Sequence, residues 1–278
     1  MTRALVLGGG GVTGIAWEWG VLAGLAEAGV RLGSADLVIG TSAGSVVGAQ
    51  VANGLDPRER YEAQLAAPDG EIGATLGAGV IARFALAMVG SQVPQRVRQR
   101  IGRQAHRART QATETERIAV IESRLPVHEW PADRQLQVTA VDAETGAFRV
   151  FDGASGVPLV LAVAASCAVP FVWPPVTIEG RRYMDGGVRS GSNADLAAGC
   201  ERVVVLAPMV RGLGPVPGVA AQVEQLRREA KVALVTPDAA ALRAIGRNVL
   251  DPAARAGAAR AGLAQAASLV DSVREVWD

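Results

Sequence analysis

Apolar and polar positions follow two alternating patterns along this chain, and the alternation predicts an α/β fold. Short apolar runs are typical of buried strands, and longer mixed or alanine-rich stretches between them predict helices. The predicted strands are 3–7, 36–39, 135–141, 148–151, 176–178, 181–184, 202–206 and 232–235, and the predicted helices are 15–27, 43–52, 57–67, 158–168 and 253–276. We see no internal repeat and no long linker, so residues 1–278 are expected to form one layered α/β domain.

Two segments depart from this alternation. Glycines interrupt an apolar stretch in residues 70–112, and a run from Gln95 to Arg109 then carries six arginines and no acid. We expect a helical, cap-like insertion there. A helical C-terminal segment is expected at about 238–278, because alanine is a strong helix former.

Composition and charge narrow the function classes. Hydrophobic residues make up 49% of the chain, enough for a large core, and the net charge of +1 gives no reason to expect nucleic acid as a partner. Cys167 and Cys200 lack metal-ligand spacing, so both are expected to be buried thiols in a reducing compartment. With no leader-like segment and no long apolar run, we expect a cytoplasmic protein, with contact to a membrane surface left open. The sequence has no calcium-ligand loop of the D-x-[DN]-x-[DN]-G type, so we expect no metal, and we expect no cofactor.

A serine between two glycines is the first candidate for chemistry. Gly40-Thr41-Ser42-Ala43-Gly44 follows an apolar strand and precedes a helix. Such a turn holds a serine hydroxyl at the head of a sheet, where helix N-terminal N–H groups favour negative charge. Ser42 is therefore a candidate nucleophile, although an ordinary helix start explains the same residues.

A glycine-rich loop, Gly8-Gly9-Gly10-Gly11-Val12-Thr13-Gly14, follows the first strand. Its spacing matches the dinucleotide-binding fingerprint, but the only acid of the second strand, Asp36, lies at the wrong end to bind a ribose. The alternative is an oxyanion hole, since adjacent glycines let unshielded N–H groups converge on one point. The N–H of Ala43 would complete that hole.

The third candidate is the general base that would accept the proton of Ser42. Both histidines, His106 and His128, lie where a surface or structural role is the simpler interpretation. Asp185 follows a strand and precedes Gly186 and Gly187, which let the backbone turn sharply and bring the carboxylate to another loop. An ordinary turn explains Asp185 equally well.

In combination, the glycine loop, the serine turn and Asp185-Gly186-Gly187 resemble the patatin-like phospholipase family over residues 3–210. Two further stretches add to the resemblance, Ala165–Pro170 and Val138–Asp142. The resemblance implies a mostly parallel central sheet with helices on both faces, related to the three-layer α/β-hydrolase architecture. It also implies a Ser–Asp dyad, with Ser42 as nucleophile, Asp185 as its partner, and Gly9, Gly10 and Gly11 in the oxyanion loop. Thr13 stands where many members carry arginine.

The function that the resemblance implies is hydrolysis of lipid acyl esters through an acyl-enzyme. An acyl chain needs an apolar trough, and Ile81, Phe84, Leu86 and Met88 are candidates for it, although ordinary core packing explains them as well. The arginine run is a candidate for contact with anionic head groups, and a solvated helix face explains it equally well. Two alternatives stay open at this point: a non-catalytic acyl- or lipid-binding scaffold, and a dinucleotide-binding oxidoreductase.

Overall fold

A computed structural model of the chain describes residues 2–67, 72–91, 93–210 and 218–278. The strands are β1 (Arg3–Leu7), β2 (Leu37–Gly40), β3 (Gln135–Asp142), β4 (Phe148–Phe151), β5 (Val176–Ile178), β6 (Arg181–Asp185), β7 (Arg202–Leu206) and β8 (Lys231–Val235). The helices are α1 (Gly11–Glu27), α2 (Ala43–Ala52), α3 (Pro57–Leu65), α4 (Ala78–Met88), α5 (Pro94–Ala105), α6 (Glu114–Arg124), α7 (Leu159–Ser166), α8 (Val219–Leu226), α9 (Ala239–Ile245), α10 (Arg255–Ala266) and α11 (Val270–Trp277).

The strands form one sheet in the order β5-β6-β3-β2-β1-β7-β8, with β4 also paired to β3. Five neighbouring strands, in the order β3-β2-β1-β7-β8, are parallel to one another. The pairs β3–β4, β3–β6 and β5–β6 are antiparallel. Leu7 is in register with Gly40, so β1 and β2 end side by side. The loop after β1 and the turn after β2 therefore meet at the same edge of the sheet.

Helices cover both faces of the sheet, as the resemblance implied. Successive residues of a strand face opposite sides, and in β1 Leu5 and Leu7 join one buried cluster while Ala4 and Val6 join another. The larger cluster includes residues of α1, α2, α7 and α10, and the smaller one includes residues of α8. The prediction of a mostly parallel α/β sheet with helices on both faces is confirmed.

The C-terminal segment differs from its prediction. The helix predicted over 253–276 is two helices, α10 and α11, separated by a turn at 267–269. The turn lets Trp277 reach 1% exposure, with its indole N–H donating to the Arg31 carbonyl oxygen at 3.1 Å. Burial of this large side chain outweighs the helix propensity of the alanines.

Helix α10 lies unusually close to α1. A Cβ atom added at Gly20 of α1 would stand 2.2 Å from the Ala259 carbonyl oxygen, and one added at Gly262 would stand 2.4 Å from the Trp17 carbonyl oxygen. Glycine at both positions therefore permits the contact. The prediction that all 278 residues form a single domain stays a prediction.

The predicted insertion at 70–112 contains α4 and α5, and its predicted start at residue 70 lies outside the described residues. The Phe84 ring of α4 packs edge-on against Phe171 with centroids 5.2 Å apart. Val97, Ile101 and Ala105 of α5 are buried in the same cluster as Phe171. The two helices thus rest on the segment that follows α7.

Candidate active site

Ser42 lies in the tight turn between β2 and α2. Its backbone has φ 53° and ψ −119°, a left-handed conformation that costs a non-glycine residue on the order of 1–3 kcal/mol. A Cβ atom at Gly44 would stand 2.1 Å from the Leu7 carbonyl oxygen, so only glycine fits there. The Gly44 N–H donates to the Gly8 carbonyl oxygen at 3.0 Å, which ties the serine turn to the glycine loop.

Helix α7 and the residue after it hold this turn from below. The Ser42 N–H donates to Ser166 Oγ at 2.9 Å, while Cys167 Sγ and Ser45 Oγ donate to the Ser42 carbonyl oxygen at 3.2 and 2.6 Å. These bonds occupy the backbone polar groups of Ser42. Its hydroxyl is left as the group that can react.

Asp185 is the last residue of β6, where it pairs with Ala140 of β3. The residue is 5% exposed, and its Oδ1 accepts the Gly187 N–H at 2.7 Å. The Ser42 side chain interacts with the Asp185 carboxylate and lowers the pKa of that carboxyl. The two residues singled out in distant parts of the sequence therefore meet.

Burial raises the pKa of Asp185 to about 6. Desolvation is the main cause, because it disfavours the charged carboxylate. Hydrogen bonding to Ser42 and to the Gly187 N–H, together with the positive charge of Arg117, lowers the pKa and offsets part of that effect. The carboxylate is thus mostly ionised at neutral pH, and it is far more basic than an exposed aspartate.

The glycine loop lies against the loop after Asp185. The Gly9 N–H donates to the Gly191 carbonyl oxygen at 2.8 Å, so this N–H is engaged within the protein, and the place of Gly9 in an oxyanion loop stays a prediction. A Cβ atom at Gly9 would stand 3.4 Å from Ser42 Cβ, which gives this glycine a role in leaving space beside the serine. Gly10 and Gly11 lie at the first turn of α1, and Ala43 opens α2, where helices supply no internal acceptor for N–H groups.

The other glycines of the three motifs also lie around this turn. A Cβ atom at Gly14 would stand 3.6 Å from Ala43 Cβ, and one at Gly187 would stand 2.9 Å from Asp185 Oδ1. A Cβ atom at Gly40 would stand 2.5 Å from Ser45 Cα, and one at Gly186 would stand 2.2 Å from Thr139 Oγ1. Larger residues at Gly40 and Gly186 would push the turns apart.

A buried hydrogen-bond network lies beside the pair. Thr41 Oγ1 and Thr139 Oγ1 are 2.9 Å apart, and Asn193 Nδ2 donates to them at 3.0 and 3.3 Å. All three residues have 0% exposure. Asn193 has φ 50°, a conformation that asparagine tolerates better than most residues. The network joins the ends of β2 and β3 to the loop after Asp185.

Ser42 lies on a small cleft, with a cavity volume of about 20 Å³, whose walls are mostly apolar. Ile72, Val169, Trp173 and Leu250 line it, so the expected trough of Ile81, Phe84, Leu86 and Met88 is wrong for the described residues. Ile81 and Leu86 point to solvent, with 60% and 65% exposure, whereas Phe84 and Met88 pack inward.

Two arginines of α6 also line the cleft, and sequence reasoning missed both. Arg117 is 4% exposed, and its guanidinium lies 4.2 Å from the centre of the Trp173 ring. Arg124 lies about two turns further along the same helix and lines the same cleft. Thr13, which stands at an expected arginine position, instead donates its side chain and N–H to the Val249 carbonyl oxygen, each at 3.2 Å. Positive charge therefore reaches the cleft from α6.

A second buried acid lies in α1. Glu18 has 0% exposure, and burial raises its pKa well above the usual range, with the backbone of Gly8 offsetting only part of the effect.

Neither histidine is among the described residues that line the cleft. His106 is exposed and contacts Arg182, and His128 is half exposed with its Nδ1 3.8 Å from Glu122. Asp36 accepts the Arg3 N–H at 2.8 Å, at the opposite edge of the sheet from the glycine loop. Cys167 and Cys200 are buried free thiols, as expected.

A family model described as patatin-like phospholipase matches residues 5–198, which contain Ser42, Asp185 and the glycine loop. The chain belongs to the patatin-like phospholipase family. A comparison with curated protein sequences gave no significant match.

Two solved structures resemble this patatin-like chain. VipD from Legionella pneumophila is 13% identical with a TM-score of 0.50, and the alignment covers 98% of this chain and 67% of VipD. The type III effector ExoU is 16% identical with a TM-score of 0.42, covering 98% of this chain and 53% of ExoU. At 13% identity, VipD supports the patatin-like fold alone.

The patatin-like chain has no membrane-spanning candidate among the helices of its described residues, since none is both long and apolar enough.

Proposed function

We propose that this patatin-like chain is a serine hydrolase that cleaves acyl esters of lipids with Ser42 and Asp185. The observation that carries the proposal is the contact between a hydroxyl on a strained turn and a buried carboxylate with a pKa of about 6, next to a cleft with apolar walls. A nucleophilic serine needs an adjacent base, and a base works best when its pKa is close to the ambient pH.

In the first step Ser42 Oγ attacks the carbonyl carbon of the ester, and its proton passes to the Asp185 carboxylate. The carbonyl electron pair moves to the oxygen, which becomes an oxyanion. N–H groups of Gly10, Gly11 and Ala43 are the proposed donors to that oxyanion. A single donor of this kind is worth about 10²–10³ in rate.

The oxyanion then collapses and the ester C–O bond breaks. The departing alkoxide takes the proton from Asp185 and leaves as an alcohol, while the acyl group stays on Ser42. Water attacks the acyl-enzyme, with Asp185 accepting a proton from the water. Ser42 recovers that proton as the fatty acid leaves, so the protein is unchanged by the cycle.

The lining of the cleft supports a lipid ester as the substrate class. Trp173, Leu250 and Ile72 offer an apolar wall for an acyl chain, while Arg117 and Arg124 bring positive charge to the same space. Guanidinium groups pair well with phosphate, so phospholipids and lysophospholipids fit both features. A cytoplasmic location stays a prediction.

Covalent labelling tests the proposal. We expect a fluorophosphonate probe to label the wild-type chain and the exposed-site control Ser123→Ala, and not Ser42→Ala. A panel of phospholipid, lysophospholipid and simple esters should be hydrolysed by the first two proteins only. If Ser42 stays unlabelled while the folded chain still binds fatty acids, the chain is a non-catalytic acyl-binding scaffold.

A further inference from the structure

Several large apolar side chains are exposed in this molecule, and four of them lie on or just after helix α4. The described residues with this property are Ile81, Leu86, Val89, Val93, Met209, Val210 and Leu242, with exposures from 41% to 66%. Scattered exposed apolar residues are common, but a contiguous group marks a contact surface.

These residues lie in segments that follow the carboxyl ends of parallel strands. Met209 and Val210 come after β7, and Leu242 lies in α9 after β8. Helix α5 lies over the end of β3, because a Cβ atom at Gly102 would stand 2.0 Å from the Ala143 carbonyl oxygen. Ser42 lies at the same edge of the sheet. We call the four exposed apolar residues between Ile81 and Val93, with the exposed arginines between Arg83 and Arg109, the docking face.

Helix α4 is apolar on both of its sides. Val80, Phe84 and Met88 pack against a buried cluster, while Ile81 and Leu86 of the outer side are exposed. Arg83 is the only charged residue between Ala78 and Met88. A surface helix normally carries charged and polar residues on its outer side, so a helix apolar all round is typically covered by something.

The charge beside α4 points to what covers it. Residues 72–113 contain seven arginines and no aspartate or glutamate, although the whole chain has a net charge of +1. Arg96, Arg103, Arg107 and Arg109 are exposed. Two copies that met through this face would bring like charges together, whereas an anionic lipid surface offers the opposite charge.

The docking face is continuous with the cleft. Val80 of α4 and Ile72 pack against the cluster that contains Trp173 and Leu250, and Ile72, Trp173 and Leu250 line the cleft beside Ser42. A lipid lying against α4 is therefore close to the mouth of the cleft.

We propose that the docking face binds the surface of an anionic lipid bilayer, with α4 at the boundary between head groups and acyl chains and the arginines of α5 against the head groups. Apolar side chains and basic residues on one element are the features of interfacial helices. This binding goes beyond the proposed hydrolysis, since it needs no turnover.

Vesicle flotation with the Ser42→Ala chain tests binding apart from hydrolysis. We expect this protein to float with vesicles of equal parts phosphatidylglycerol and phosphatidylcholine, and much less with pure phosphatidylcholine. Ile81→Ser with Leu86→Ser should lower the partition coefficient about tenfold, because two exposed apolar side chains are lost. Arg103→Gln with Arg107→Gln should lower it several-fold and flatten its dependence on salt.

Arg227→Gln with Arg228→Gln is the matched charge control, since both arginines are exposed near the start of β8, at the opposite edge of the sheet. Binding of this control should equal that of the parent, with the same melting temperature in all variants. Equal binding by the Ile81/Leu86 variant, or absence of binding to anionic vesicles, would overturn the proposal. A dimer that dissociates in the Ile81/Leu86 variant would assign the face to a second copy instead.

Discussion

The Ser166 hydroxyl oxygen accepts the backbone N–H of Ser42 at 2.9 Å, so helix α7 anchors the strained serine turn. Ser166 has 0% exposure, and its removal leaves a buried N–H without this acceptor. Such a loss costs about 1–3 kcal/mol. For Ser166→Ala we expect a lower melting temperature and a kcat reduced about tenfold, because the turn is no longer held in the reactive conformation.

Ser123→Ala is the control for that measurement, since the Ser123 hydroxyl donates to the Val120 carbonyl oxygen on the exposed side of α6. It should leave kcat and melting temperature unchanged. An unchanged kcat in Ser166→Ala would show that the turn keeps its conformation without the anchor.

Asp185→Asn should abolish activity and stabilise the fold. Burial raises the Asp185 pKa to about 6, above the value of about 3.9 expected for the unfolded chain. The folded chain therefore binds more protons between these values, and the free energy of unfolding falls as pH rises from about 4 to 6. Removing the charge should increase the free energy of unfolding by at most about 3 kcal/mol at neutral pH.

Thermal unfolding measured across pH tests whether the Asp185 charge lowers the stability of the fold. We expect Asp185→Asn to melt higher than wild type above pH ~6 and to lose the pH dependence between ~4 and ~6. Asp271→Asn, at a fully exposed side chain, should melt like wild type throughout. A less stable Asp185→Asn would mean that the carboxylate is a net stabilising group.

The pH dependence of kcat/KM should follow Asp185. Activity needs the carboxylate, so kcat/KM is expected to rise as pH increases through the pKa of about 6. A histidine base would give a similar profile, since its usual pKa is about 6.5. The variant with both His106→Asn and His128→Asn decides: we expect the same midpoint and a rate within a few-fold. A loss of about 10⁴ would identify a histidine base.

Arg117 should influence the pH midpoint of the kcat/KM profile. Its positive charge lowers the pKa of Asp185, so Arg117→Met should move the midpoint of the kcat/KM profile upward by about half a unit or more. Arg117→Lys keeps the charge and should leave the midpoint closer to that of wild type. An identical midpoint in Arg117→Met and wild type would contradict an electrostatic influence of Arg117 on Asp185.

The sheet was predictable because its strands are short apolar runs bounded by glycine or polar residues. The meeting of Ser42 and Asp185 was predictable because each follows a strand, and glycines beside them allow the close approach. Propensity alone did not predict the turn at 267–269, since it depends on the distant site that buries Trp277.

The walls of the cleft were harder to predict. Arg117, Trp173 and Leu250 come from three separate parts of the chain, and no local pattern relates them. Adjacent glycines look alike in sequence, so it was not predictable that the Gly9 N–H donates to the Gly191 carbonyl oxygen.

Leu250 lines the cleft, and the neighbouring Val249 carbonyl oxygen receives the N–H of Thr13, yet both residues lie outside the family-matched region 5–198. The candidate reacting groups and part of the cleft wall thus come from distant stretches of polypeptide. Under the proposed hydrolysis, changes near residue 250 are expected to alter acyl-chain preference while Ser42 and Asp185 stay in place. Exchanging that stretch would therefore separate chain-length selectivity from the proposed reaction.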